Sequence, residues 1–142
     1  MMKQMKIFIF LAISIIILVC RIAQAECLII VNKSVKETSI NEKDVKLIFL
    51  CKKIKWSDGQ NIQPLRLMRG ELHEYFLDKF IQKTQASYMT YWRQAFATGS
   101  AIPPKVMQTE KDVVAFVMKC EGAVGYISSD TPHEDVKVLS IE

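Results

Sequence analysis

The chain has 142 residues, half of them hydrophobic and 24% charged, with a formal charge of +4, four cysteines, five glycines and four prolines. That is one domain's worth of chain, too apolar for a disordered segment and too poor in Gly and Pro for a fibrous one. The hydrophobic excess is uneven, and much of it sits before residue 26.

Lys3 and Lys6 open the chain, and a 14-residue apolar run follows from Ile7 to Cys20. Ile22-Ala23-Gln24-Ala25 then supplies small side chains at both positions that a signal peptidase must fit. Together these features predict a secretory signal peptide cleaved after Ala25. The run is shorter than the ~20 residues that span a bilayer. Val19, where a small residue is wanted, argues against a lipid anchor on Cys20. Cleavage leaves one domain, residues 26–142, with 16 basic and 15 acidic side chains. The basic character therefore belongs largely to the leader and implies no nucleic acid, since no basic stripe with interleaved aromatics is present. The cluster Lys52-Lys53-Ile54-Lys55 reads as a solvated helix end, where cations meet the negative pole of the dipole. Cys27, Cys51 and Cys120 remain, and an oxidising compartment fits one disulfide and one thiol. Their spacing matches no zinc site.

Cys27-Leu-Ile-Ile-Val31 is a continuous apolar run and reads as a buried strand, ended by Asn32-Lys33-Ser34. Ser39, Asn41 and Asp44 are helix-start residues, and Val45, Ile48 and Phe49 recur at helical spacing, so a helix is expected over about 41–51. Trp56-Ser57-Asp58-Gly59 is a turn. A second strand is expected from Ile62 to Met68. Gly70 opens a long helix with Leu72, Phe76 and Phe80 on one face, and Gln85-Ala86-Ser87 marks a break. Tyr88, Tyr91, Trp92, Ala95 and Phe96 stripe a third helix, which Gly99 and Pro103-Pro104 end. Thr109 and Asp112 form a capping-box variant for a fourth helix, whose inner face carries Val113, Phe116, Val117 and Cys120. Gly122 closes it. Strands at Ala123–Ile127 and Val136–Ile141 complete the chain. Alternating strands and helices predict an α/β class with a mostly parallel sheet flanked by about four helices.

No catalytic signature is present: there is no G-x-S-x-G, no Cys/His pattern and no H-E-x-x-H. The carboxylates are scattered, and His73 and His133 read as surface histidines. The expectation is no enzyme, no catalytic residues, no metal and no cofactor. Trp92 is expected in the core and Arg93 at the surface. The one local feature with chemistry is Leu67-Met68-Arg69-Gly70-Glu71-Leu72, a strand entering a helix. Free N–H groups at a helix start, with the positive dipole end, attract anions. Arg69 adds a guanidinium that binds oxyanions bidentately. In a parallel sheet, the Asn32-Lys33-Ser34 turn is expected at that same ligand-binding edge. Glu71 and Glu74 offer the opposite reading, in which acids of the first turn neutralise the dipole themselves.

The ordered set of motifs resembles a known family. Asn41 to Trp56 with Asp58-Gly59, then Tyr91-Trp92-Arg93, Phe96, Gly99 and Pro103-Pro104, and finally Glu121-Gly-Ala-Val-Gly-Tyr-Ile127, are similar to stretches of PstS-like phosphate ABC transporter substrate-binding proteins, over about residues 29–128. The likeness is to short, single-domain members. It implies a single periplasmic-binding-protein-like lobe, a periplasmic location, and binding of phosphate or a similar small oxyanion. It makes an ABC permease, or a second lobe or protomer, the candidate partner. The ligand set so implied is Arg69, Gly70, Glu71 and Leu72, with Ser34, and His73 near a position where short members carry Arg. The family's Ser-Gly-Thr is absent, and Cys51 stands where a Gly is usual. The alternative is an exported protein-interaction module that kept the fold without the ligand. On this fold the three cysteines are expected at the edge opposite the site, pairing as Cys51–Cys120 or Cys27–Cys120.

Overall fold

The computed structural model describes residues 2–6 and 25–142. The signal-peptide reading and Cys20 fall mostly outside those residues. Among the described residues no helix is long and apolar enough to cross a membrane.

Six strands form one sheet: β1 (Cys27–Val31), β2 (Ser39–Ile40), β3 (Gln63–Leu67), β4 (Lys105–Met107), β5 (Ala123–Ser128) and β6 (Lys137–Ile141). Their order is β2-β6-β1-β5-β3-β4. Five strands run the same way. Only β1 is reversed, pairing antiparallel with both β5 and β6. The expected α/β lobe with a mostly parallel sheet is therefore what forms.

Among the described residues, four α-helices cover the sheet: α1 (Glu42–Phe49), α2 (Glu71–Phe76), α3 (Gln85–Ala97) and α4 (Glu110–Lys119). Side chains start three of them. Asn41 accepts from Asp44 N–H, Thr84 from Ser87 N–H and Thr109 from Asp112 N–H, each satisfying a donor the helix cannot. The Thr84 cap places Gln85-Ala86-Ser87 inside the first turn of α3, so the expected break lies instead at Gln82–Thr84, with Gln82 left-handed at φ 58°. Helix α2 runs on as a π-helical turn, Leu77–Ile81. That turn buries Leu77, Phe80 and Ile81 together with Phe76.

The sheet's pleat divides the core between two faces. A Cβ on Gly125 would meet Val113 Cγ1 at 2.6 Å and Val117 Cγ2 at 3.7 Å, so α4 lies directly on that face. The next residue, Tyr126, points to the other face, where it stacks on Phe76 (centroids 3.7 Å, planes 7° apart) and meets Phe49 edge-on at 5.8 Å. Helices α1, α2 and α3 pack on that side.

The reversal of β1 corrects two expectations. Cys27 pairs with Ser128 and Val31 with Val124, so β1 begins where the parallel strands end. Cys27 is thus at the edge opposite Cys51 and Cys120, not gathered with them. Those two end α1 and α4, on opposite faces of the sheet. All three thiols are free, against the expected disulfide. Cys51 takes φ 52°, a left-handed conformation that suits the Gly usual in the resembling family.

Among the glycines, Gly122 carries the tightest approach. With φ 75°, a Cβ there would fall 2.0 Å from Asn61 O. Its carbonyl accepts from Trp56 Nε1 (3.0 Å) and Gln63 N–H (3.1 Å). Gly122→Ala is expected to cost at least about 2 kcal/mol, since the clash adds to left-handed strain. Gly59→Ala, at φ 87° with nothing within 4 Å, should cost only the strain, about 1–2 kcal/mol. Urea midpoints of the two variants check the difference. Alkylation of the unfolded protein followed by peptide mapping should find Cys27, Cys51 and Cys120 unpaired. In the native protein Cys27 should react slowest, because burial pushes its thiol up to about 12.

Candidate functional site

The loop Met68–Gly70 leaves the C-terminal end of β3 and enters α2. Leu65–Leu67 pair with Lys105–Met107 of β4, and Met68 N–H continues the ladder onto Met107 O at 3.0 Å. On the other side, β3 pairs with β5 only through Gln63–Ala123 and Pro64–Val124. Beyond Pro64 the two strands are bridged by a side chain. Tyr126 Oη accepts Leu67 N–H at 3.0 Å and lies 2.5 Å from His73 Nδ1. The hydroxyl thus joins the Leu67 backbone to the His73 ring. Arg66 Nη1 donates to Leu67 O at 3.3 Å. Both polar groups of the Leu67 peptide are thus held by buried side chains.

Gly70 takes φ 112° and ψ 170°, and no side chain caps the helix start behind it. A Cβ at Gly70 would meet nothing within 4 Å, so the space over the first turn is open. An open depression of about 520 Å³ lies there, lined by Leu67, Arg69, Gly70, Leu72, Gln108 and Thr109, with Glu71 and Glu110. It is bounded by the first turns of two helices, α2 and α4, at the C-terminal ends of β3 and β4. Across α2 lies a second groove of about 690 Å³, with Cys27, Leu72, Tyr75, Lys79, Phe80 and Ile141 in its walls.

Among the expected ligands, Arg69, Gly70, Glu71 and Leu72 come together. Arg69 is exposed, and among the described residues the one ion pair is Lys53–Asp44, so the guanidinium has no acidic partner. Glu110 is already engaged, accepting from Ser128 N–H (2.5 Å) and Thr131 Oγ1 (2.9 Å). Glu71 and Glu74 are exposed in the first turn of α2.

Two expected ligands lie elsewhere. Ser34 follows the reversed strand β1 and sits at the opposite edge of the sheet. There its Oγ accepts from Gly122 N–H at 3.3 Å and meets Gln60 Oε1 at 3.3 Å. His73 is fully buried, not a surface residue, and faces Tyr126 rather than the depression. His133 is also partly buried, with Nδ1 2.6 Å from Thr131 O. Trp92 is core and Arg93 exposed, as expected. Arg66, only 8% exposed, is the buried charge that the apolar reading of β3 passed over. Its signal was a lone Arg inside an otherwise inward-facing run. No cluster of His, Cys, Asp or Glu among the described residues could hold a metal.

This arrangement matches about half of the fold of several solved substrate-binding proteins. The chain is similar to a protein described as a phosphate ABC transporter substrate-binding protein, with bound phosphate, from Clostridium perfringens: TM-score 0.65, 13% identity, 82% of this chain against 45% of that one. An ABC-type phosphate transport receptor from Vibrio cholerae gives 0.64, 15%, 82% and 46%. PstS from Borrelia burgdorferi gives 0.64, 16%, 83% and 47%. The chain thus spans less than half the length of these structures, and at such identities the likeness establishes the fold. No protein-family profile and no curated protein matches the sequence.

Burial holds the His73 imidazole below its ordinary 6.5, the Gln85 side chain opposes that shift, and the Arg66 charge adds to it. The unfolded chain therefore takes up a proton near pH 6.5 while the fold does not. Stability is full above that pH and falls as pH drops from 6.5 toward the folded value. His73→Gln should flatten the melting-temperature profile between about pH 5 and 7. Tyr126→Phe, which strands Leu67 N–H, should cost about 1–3 kcal/mol in urea unfolding.

Proposed function

We propose that the protein is an exported, non-catalytic solute-binding lobe that takes phosphate or a similar small oxyanion over the Gly70 loop. The observation that carries this reading is the uncapped, open start of α2 beside an unpaired Arg69, in a fold shared with phosphate-binding proteins. The N–H groups of Glu71 and Leu72 would face the anion, with the Arg69 guanidinium alongside. His73 and Ser34 drop out of the ligand set, the first by burial and the second by position.

An open depression leaves the anion in water, where each hydrogen bond is worth only about 0.5–1.5 kcal/mol net. Tight capture therefore requires a second wall, from a partner lobe, a second protomer or an ABC permease. The exposed acids Glu71 and Glu74 favour a second reading, in which the helix start is neutralised internally and the lobe serves as a protein-interaction module.

Calorimetric titration of phosphate-free protein separates the two. Oxyanion binding predicts saturable heat that Arg69→Ala removes and Glu71→Gln strengthens. The absence of heat up to about 1 mM, less than about 4 kcal/mol of binding, would leave the interaction module as the function.

A further inference from the structure

We propose that the end of the lobe opposite the Gly70 depression is a membrane-docking surface, which lays Ile54, Phe96 and Ile102 into the interface of an anionic phospholipid bilayer. This surface is separate from that depression and does not rest on the oxyanion reading.

Three large apolar side chains stand out into solvent further than any others in residues 25–142. Ile102 is 83% exposed, Phe96 72% and Ile54 61%, while the next, Tyr75, reaches 50%. The fold brings all three to one end. Ile54 O accepts, at 2.9 Å, the N–H of Ile62, the residue before β3 starts at Gln63. Ile102 lies three residues before β4 starts at Lys105. Strands β3 and β4 are parallel neighbours, with Leu65 opposite Lys105, so both isoleucines are at the N-terminal edge of these strands. The Gly70 loop leaves the other edge. Cys51 Sγ donates to Ile102 O at 3.4 Å, and Tyr91 Oη donates to Leu50 O at 2.9 Å. These two bonds tie the end of α1 to α3 and to the loop that follows it. Phe96 is in the last turn of α3, and Ser100 N–H returns to Ala95 O. The chain therefore turns at once from Phe96 into the loop that carries Ile102.

The charge of these segments identifies the partner. Residues 50–56 and 91–105 hold Lys52, Lys53, Lys55, Arg93 and Lys105, and not one acid. Among the described residues only Lys53 of these five is paired with a carboxylate, that of Asp44. Each protruding side chain has a cation close in the chain: Ile54 lies between Lys53 and Lys55, Phe96 three residues after Arg93, and Ile102 three before Lys105. The rest of residues 26–142 is left with more acids than bases, so the positive charge is local to this end.

Single apolar side chains set among lysines match a bilayer interface. The apolar groups enter the boundary between headgroups and acyl chains, and the cations reach the lipid phosphates. A protein partner would need a fitted pocket for each protruding side chain, whereas a bilayer asks for no such complementarity. The two grooves flanking α2 include none of the three. Docking by this end leaves the Gly70 depression turned away from the membrane and open to solvent.

Sedimentation with vesicles tests the surface. Residues 26–142 are used, which hold all six strands, the four helices and their common core, so the apolar leader takes no part. Vesicles of phosphatidylglycerol mixed equally with phosphatidylcholine should carry the protein down, and pure phosphatidylcholine far less of it. Binding should weaken as salt rises past about 0.15 M, where an exposed charge reaches only about 8 Å. Lys52→Ser combined with Lys55→Ser should weaken it by more than about tenfold, at about fivefold for each lysine. Ile54→Ser combined with Ile102→Ser should weaken it by about tenfold or more through lost apolar contact alone. All four positions are exposed, and an unchanged urea midpoint verifies the fold of each variant. Amide exchange should slow at residues 52–55 and 96–102 on the vesicles. No sedimentation with the anionic vesicles overturns the proposal and leaves this end as a contact for a protein. Equal binding by the isoleucine variant overturns it too, reducing the effect to surface charge. So does protection at residues 68–72 in place of 52–55.

Discussion

The Tyr126 side chain is the fixed point of the molecule. Its ring stacks on Phe76 at 3.7 Å and its hydroxyl joins Leu67 N–H to His73 Nδ1. Strands β3 and β5 stop pairing after Pro64 and Val124, so without this hydroxyl the end of β3 would carry a buried, unmet donor. The same group ties the first turn of α2 to the sheet. One residue thus sets where β3 ends, how α2 is entered and therefore where Met68–Gly70 lies. A phenylalanine would fill the same volume and keep the stack, but nothing would then hold the loop to both neighbours.

Much of this architecture is legible in the residues. Helix starts at Asn41 and Thr109 announce themselves because a side-chain oxygen three residues before a free N–H has little else to do. The strand at Ala123–Ile127 and the stop at Gly122 follow from periodicity and from positive φ, and the stripe expected on α3 holds at Tyr88, Trp92 and Ala95, while Phe96 at its end is exposed. Strand direction does not. Cys27–Val31 is apolar throughout, and such a run reads the same whichever way it lies. Taking β1 as parallel moved both of its ends to the wrong edges. Ser34 was thereby drawn toward the anion loop and Cys27 toward the other cysteines. The short strands β2 and β4 also escaped, because two or three residues carry no period to detect.

The interior polar residues were hidden for a different reason. His73 is at a helix start with acids on either side, a setting that reads as surface, and its burial comes from distant residues, with Tyr126 stacked on it and Tyr88 edge-on. Arg66 is flanked by leucines, and its long side chain could as easily have reached solvent. Local pattern reports which face a residue occupies, but not whether a helix from elsewhere in the chain covers it. Here α3 does so, through Met89.

The two ends of the sheet are built alike in one respect. Strand β2 is two residues long and strand β4 three, with Pro104 immediately before Lys105. Each outer edge thus offers another chain only a few backbone groups, and β4 begins on a charged side chain. A six-stranded sheet with long flat margins would invite lateral addition of further strands. This one is blunted on both sides, so copies crowded at high concentration have little edge on which to polymerise.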